Sequence, residues 1–229
     1  MERLVLEDPS GAAAERIAAV AGAGGHVALT GGSTPRAAYE RAAAMDVDWS
    51  AATLWFGDER CVAPDDPRSN YGMAKSALLD RLSGPQPIVH RMEGERGPHE
   101  AAEAYEQELR QALGERPRLD LVLLGLGPDA HCASLFPNDP ALDERRRLAV
   151  GVEVPGMAPY VPRVTLTLPV LNAAQAVIFL VTGADKAGAV ARAFGGEPDR
   201  SAPASLVAPD TGTLTLLMDA DAVGSPASE

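Results

Sequence analysis

Short apolar runs alternate with Ala-rich or amphipathic stretches along most of this chain. Runs at 4–6, 26–30, 52–56, 119–124, 148–154, 163–168, 176–182 and 213–218 have the length and composition of strands, and 163–168 alternates at period two. Residues 119–124 hold five aliphatic residues and a single Asp, which suits a central parallel strand covered on both faces. Between the strands, 12–21, 36–44, 73–82, 100–113 and 185–194 read as helices, the fourth with Ala101, Ala104, Tyr105, Leu109, Ala112 and Leu113 towards one side. Strand, helix, strand at this spacing implies right-handed crossovers and a parallel sheet. Residues 84–98 are rich in Pro, Gly and charge and read as irregular, with His90 and His99 at the surface. No internal repeat or low-complexity linker interrupts the pattern. The expected fold is α/β: a single Rossmann-like domain over 1–229 with a mainly parallel sheet flanked by helices, and a small polar tail, 224–229, that frays.

The polar residues gather where strands end. After 119–124 the chain breaks at Gly125 and Gly127 and reaches Asp129 and His131, before a run, 132–135, able to open a helix. In open α/β sheets ligands bind outside the carboxyl ends of strands. Asp129 can orient the His131 ring, and neutral imidazole is available as a base near pH 7. A lone loop histidine is just as compatible with a surface or capping role. After 26–30 come Gly31, Gly32, Ser33, Thr34 and Pro35, a turn whose hydroxyls can cap the next helix and whose amides suit an anion. It lacks the Lys-Ser/Thr ending of a P-loop and the glycine spacing of a dinucleotide fingerprint. It also fits an ordinary capped turn. Asp58, Glu59 and Arg60 follow 52–56, and Arg suits a phosphate because its fork donates in a plane. The Pro-bounded loop 64–72 is long enough for a lip over such a site. Arg163 opens a strand and faces either solvent or the site. Lys186 sits in the first turn of a helix, where the dipole disfavours a cation and a bound anion would offset that.

Charge and cysteine content narrow the picture. With 20 basic and 32 acidic residues the net charge is −12, which argues against general nucleic-acid binding. An anionic substrate would then rely on local donors rather than the overall field. No run approaches the roughly 20 apolar residues of a membrane span, and the charged N-terminus lacks a signal-peptide core. Cys61 and Cys132, each just beyond a strand end, form neither a disulfide framework nor metal spacing. A soluble cytoplasmic protein, without membrane or nucleic-acid partners, is expected.

Four segments in order resemble the 6-phosphogluconolactonase family, within the group that includes glucosamine-6-phosphate deaminases and ribose-5-phosphate isomerases. They are 29–35; 55–60 with Ser69, Asn70 and Tyr71; 124–137; and 163–167 with 182–186. The resemblance spans almost the whole chain. It implies hydrolysis of 6-phospho-D-glucono-1,5-lactone in the oxidative pentose phosphate pathway, with no metal or organic cofactor. It implies that His131, set by Asp129 or another neighbour, is the general base on water. Amides of Gly125–Gly127 would steady the oxyanion. Gly31, Gly32, Ser33, Thr34, Arg60, Arg163 and Lys186 would hold the phosphate, with Asp58 and Asn70 in the substrate-binding set. The partner is a small phosphosugar lactone, and the chain is expected as a monomer or small homo-oligomer. Ala130 and Cys132 stand where the family usually has Gly and Thr; a positive φ at 130 would cost roughly 1–2 kcal/mol with Ala. An amino-sugar phosphate deaminase or isomerase on the same scaffold, or a non-catalytic sugar-phosphate-binding protein, are the alternatives. Arg60, where deaminases usually have Tyr, and the run Ser134-Leu135-Phe136-Pro137 favour the lactonase.

Overall fold

The computed structural model describes residues 1–224; most of the tail expected to fray lies outside them. The elements run β1 (Glu2–Val5), α1 (Pro9–Gly22), β2 (His26–Leu29), α2 (Ser33–Ala43), β3 (Thr53–Phe56), β4 (Asp58–Arg60), α3 (Asn70–Ala77), β5 (Ile88–Val89) and α4 (Pro98–Leu113). They continue with β6 (Leu121–Leu124), β7 (Ala149–Val152), β8 (Arg163–Leu166), α5 (Leu168–Ala173), β9 (Ala176–Val181), α6 (Ala187–Phe194), β10 (Thr213–Met218) and α7 (Ala220–Val223). Seven strands form one sheet in the order β1-β10-β9-β6-β2-β3-β5, and every pairing in it is parallel. Its central strands divide their side chains between two cores, as period-two geometry dictates. Leu121 and Leu123 face the core built on α1 and α2; Val122 and Leu124 face the core built on α4 and α6. Trp55 is turned to the second core and its neighbours Leu54 and Phe56 to the first. A sheet buried on both faces is thus what the unbroken apolar runs produce.

Several local expectations are corrected. A second, antiparallel sheet, β4-β8-β7, accompanies the first. Asp58, Glu59 and Arg60, which follow the run 52–56, are therefore themselves a strand, paired with Thr165, Val164 and Arg163. Residues 132–135 do not open a helix: Cys132 and Leu135 bridge each other across a tight reversal with Ala133 at φ 48°. Neither Ser33 nor Thr34 caps α2, because the helix begins at Ser33 and Gly32, φ 116°, is the capping residue. The helix expected over 73–82 starts earlier, at Asn70, because the Ser69 hydroxyl caps it by accepting from the Gly72 amide at 3.0 Å. The stretch 84–98 is not wholly irregular, since Ile88 and Val89 form the edge strand β5. His90 is not a free surface residue: its ring stacks on Trp55 at 4.1 Å and Nδ1 lies 2.7 Å from Glu108. Both cysteines are free thiols.

Candidate active site

The chain leaves β2 towards β3 and leaves β6 towards β9, so its connections part between two neighbouring strands. In open sheets the crevice beyond such a parting is the natural ligand site. A cavity of about 220 Å³ lies there, with Thr30, Gly31 and Gly32 from the end of β2 and Gly125, Leu126 and Gly127 from the end of β6 in its wall. Two buried tyrosines brace the strand ends behind it. Tyr39 Oη donates to the Thr30 carbonyl and accepts from the Thr30 amide, both at 2.8 Å. Tyr105 does the same for Phe56, at 3.1 and 2.7 Å. A larger groove of about 710 Å³ runs along β7, but carboxylates alternate there with Arg145 and Arg146 and no histidine lines it.

His131 lines the crevice with its ring packed near Phe136, centroids 4.8 Å apart. Its Nδ1 lies 2.5 Å from Asp129 Oδ1. Burial pushes the Asp129 carboxyl up, but bonding to His131 outweighs it and the group ends below its ordinary pKa. An anionic Asp129 beside Nδ1 favours the Nδ1–H tautomer whenever the ring is neutral, which leaves the Nε2 lone pair free. The loop that carries the pair is tightly drawn. The Gly127 amide donates to the His131 carbonyl at 2.9 Å, and the Ala130 amide to the Gly127 carbonyl at 2.9 Å. The Gly127 N–H is thereby already engaged, contrary to its expected use as an oxyanion donor; the neighbouring Gly125 and Leu126 border the cavity as well.

Arg60, Arg163 and Lys186 line the same cavity. Arg163 points into the site rather than to solvent and is only 4% exposed. It donates to the carbonyls of Pro159 at 2.8 Å and Val161 at 3.0 Å. Burial, then the neighbouring Arg60 charge, lower its pKa. Arg60 Nε is buried without a partner among the described residues, though Nη1 donates to the Arg68 carbonyl. Two cross-strand cations of like sign repel, so the β4–β8 pair is electrostatically primed for an anion. The first-turn amides of α2 add to this, since no side chain caps them.

Not every expected residue reaches the cavity. Ser33 is exposed at the rim, and Thr34 turns its hydroxyl to Thr182 Oγ1 at 2.8 Å. Of the loop 64–72, Asn70 is the residue that borders it; Pro64, Asp65, Asp66 and Pro67 line a separate groove beside α2 and α3. Met157, from the Pro-rich connection between β7 and β8, lines the site instead, and nothing in its local sequence signals that. Asp58 borders the cavity, but both of its carboxylate oxygens already accept protein hydrogen bonds.

Known proteins resemble this chain in sequence and in fold. The model describing glucosamine-6-phosphate isomerases and 6-phosphogluconolactonase matches residues 7–216. The chain belongs to that family. A protein from Nostoc sp. named 6-phosphogluconolactonase is 44% identical over 201 residues, 86% of this chain and 82% of its own. One of the same name from Streptomyces coelicolor is 41% identical over 216 residues, 88% and 82% of the two chains. The solved 6-phosphogluconolactonase of Trypanosoma cruzi superposes with a TM-score of 0.87 at 29% identity, covering 99% of this chain and 97% of that one.

Ala130 and Cys132, the two positions where the resemblance led us to expect departures, are both placed by the structure. Ala130 has φ 65°, so the position does require the left-handed conformation that Gly adopts without strain. Cys132 is fully buried, and burial raises its thiol pKa far above the ordinary value. It is a packed thiol, not a nucleophile. Glu59 is the polar residue whose part the sequence hid. Its carboxylate accepts from the amides of Arg60, Asn70 and Tyr71 and from Ser69 Oγ, at 2.6 to 2.9 Å.

Proposed function

We propose that the protein is a 6-phosphogluconolactonase, hydrolysing 6-phospho-D-glucono-1,5-lactone to 6-phospho-D-gluconate in the cytoplasm, as a step of the oxidative pentose phosphate pathway. The observation that carries this reading is that His131, paired with Asp129, lines the same crevice as three cations, Arg60, Arg163 and Lys186. The 6-phosphate would sit against Arg60, Arg163 and Lys186 with the amides beyond Gly31 and Gly32. The lactone carbonyl would then lie towards His131. Its Nε2 takes a proton from water as the water oxygen bonds to C1, and the carbonyl electron pair moves to oxygen. Donors in the Gly125–Leu126 turn stabilise that oxyanion. When the oxyanion collapses, the bond from C1 to the ring oxygen breaks and the leaving oxygen takes the proton from His131. The Asp129 anion supports the transient imidazolium between these two transfers.

The test is hydrolysis of freshly prepared lactone, corrected for its spontaneous rate, with unphosphorylated gluconolactone and glucosamine-6-phosphate alongside. Saturable turnover of the phosphorylated lactone alone is the expected result. His131→Ala should lower kcat by ~10²–10⁴-fold, the usual worth of a general base, with product binding by calorimetry retained. Deamination of the amino sugar would instead support the alternative reaction on this scaffold. Saturable binding with no turnover would support a sugar-phosphate-binding protein.

A further inference from the structure

Asp58 stands in the wall of the crevice, yet it is ill suited to the phosphate role expected of it. It is a carboxylate, 4% exposed, and its two oxygens are committed in opposite directions. Oδ2 accepts from Ser134 Oγ at 2.6 Å, and Oδ1 accepts from Asn70 Nδ2 at 3.1 Å. The same Asn70 amide donates to the Asp58 carbonyl at 2.9 Å. We propose that Asp58 is a positioning residue which, through Ser134 and Asn70, locks the His131 loop to the anion cradle; the proposal rests on the lactonase reading of the site.

The chain of contacts is continuous across the sheet's parting. At one end a Cβ on Gly31 would fall 2.0 Å from Asn70 Oδ1, so the amide lies directly on the cradle glycine. At the other end Ser134 is fully buried, three residues beyond His131. Its own amide donates to Thr165 Oγ1 at 3.2 Å. The loop around His131 holds Ala130, just before it, and Ala133, just before Ser134, at positive φ. Such backbone persists only where its surroundings over-determine it. The Ser134 hydroxyl bond to a buried anion is a charge-assisted bond of the kind that can do so. Anion cradle and base come from strands far apart in sequence, and Asp58, on β4, is the group bonded towards both. A base misplaced by about 1 Å loses on the order of 10²-fold in rate. Loosening this link should therefore act on His131 more than on the phosphate.

Ser134→Ala and Asp58→Asn test it, each with two readouts. In steady-state assays with the lactone, kcat is expected to fall about tenfold for each, while the calorimetric Kd for 6-phosphogluconate stays within about twofold. In proton NMR across pH, the His131 ring resonances and titration midpoint are expected to move in both variants. Those of His99, whose side chain is 71% exposed and lies beside Glu153, serve as the control and stay put. Unchanged His131 resonances overturn the proposal, and so do kcat and binding falling in parallel or kcat holding within twofold. Should the wild type not turn over the lactone, the lactonase reading fails by itself and the His131 resonances still decide the link. Should Ser134→Ala fail to fold, Asp58→Asn, which keeps the side-chain volume, decides it by the same criteria.

Discussion

A methyl group on Gly127 would stand 2.0 Å from His131 Nδ1 and 2.7 Å from Asp129 Oδ1. The missing side chain at this residue is therefore what lets the acid-base pair close on its own loop. Gly127→Ala should displace the ring and lower turnover at least ~10²-fold, as misplacement of a catalytic group does. The midpoint of urea unfolding should move much less than the rate; equal loss of both would mean that the glycine serves folding alone. Ala130 presents the opposite case, a side chain where none is wanted. Its φ of 65° costs roughly 1–2 kcal/mol. Ala130→Gly would relieve that strain, but would loosen the unfolded chain by about 0.4–1 kcal/mol and remove a buried methyl. Stability is expected within about 1 kcal/mol of wild type, with kcat maintained or raised, by urea denaturation and lactone assay. A loss beyond about 2 kcal/mol would show that the methyl's packing outweighs the strain. Asp129 and His131 were legible from their spacing after a strand. Their contact was not, because it depends on the turn at Gly127 and the left-handed Ala130.

At the scale of elements, the junction of β4 and α3 hangs on Glu59. Its carboxylate adds to the Ser69 cap, accepting two amides of the first turn of α3 together with Ser69 Oγ. Burial raises its pKa above the ordinary carboxylate value, against the lowering effect of those donors. The folded protein thus keeps this proton at a pH where the unfolded chain has lost it. The resulting stability is complete below the unfolded pKa and is lost as pH rises through the folded one. Glu59→Gln replaces one acceptor oxygen by a donor and should destabilise by ~1–3 kcal/mol. Because the amide does not titrate, the gap to wild type should be widest near pH 4 and narrow as pH rises, in urea titrations at several pH values. A gap that widens with pH would reverse the assignment. The central strands of the main sheet were readable as unbroken apolar runs because they are buried on both faces. In the second sheet β7 and β8 were readable as strands but β4 was not: its sequence is Asp-Glu-Arg, and its carboxylates are buried against Ser134 and the 69–71 segment. The start of α2 was also misread, since Gly32 caps without any side-chain signature.

For the molecule as a whole, the decisive feature is a cationic cluster in a chain of net charge −12. Arg60, Arg163 and Lys186 come from three separate stretches and converge beside the α2 N-terminus. The overall field repels a phosphosugar, so affinity rests on these local donors. Lys186→Ala should raise KM for the phosphorylated lactone by roughly tenfold or more, a charge-assisted hydrogen bond being worth ~1.5–3 kcal/mol, while kcat changes far less. If KM is unmoved, Lys186 does not hold the phosphate. Among the described residues no helix is long and apolar enough to cross a membrane.

By itself the sequence determined the α/β class, the parallel core strands and the candidate acid-base and cationic residues. These follow from local properties: unbroken apolar runs, glycines at strand ends, and side-chain chemistry that is the same wherever it sits. Tertiary structure alone decided which of those residues meet. It moved Ser33 and Thr34 off the crevice, bound Asp58 between Ser134 and Asn70, and brought Met157 into the wall. The reason is physical: a hydrogen bond or a cavity wall depends on distances between strands, and the order of strands in the sheet, not their order in the chain, fixes those distances.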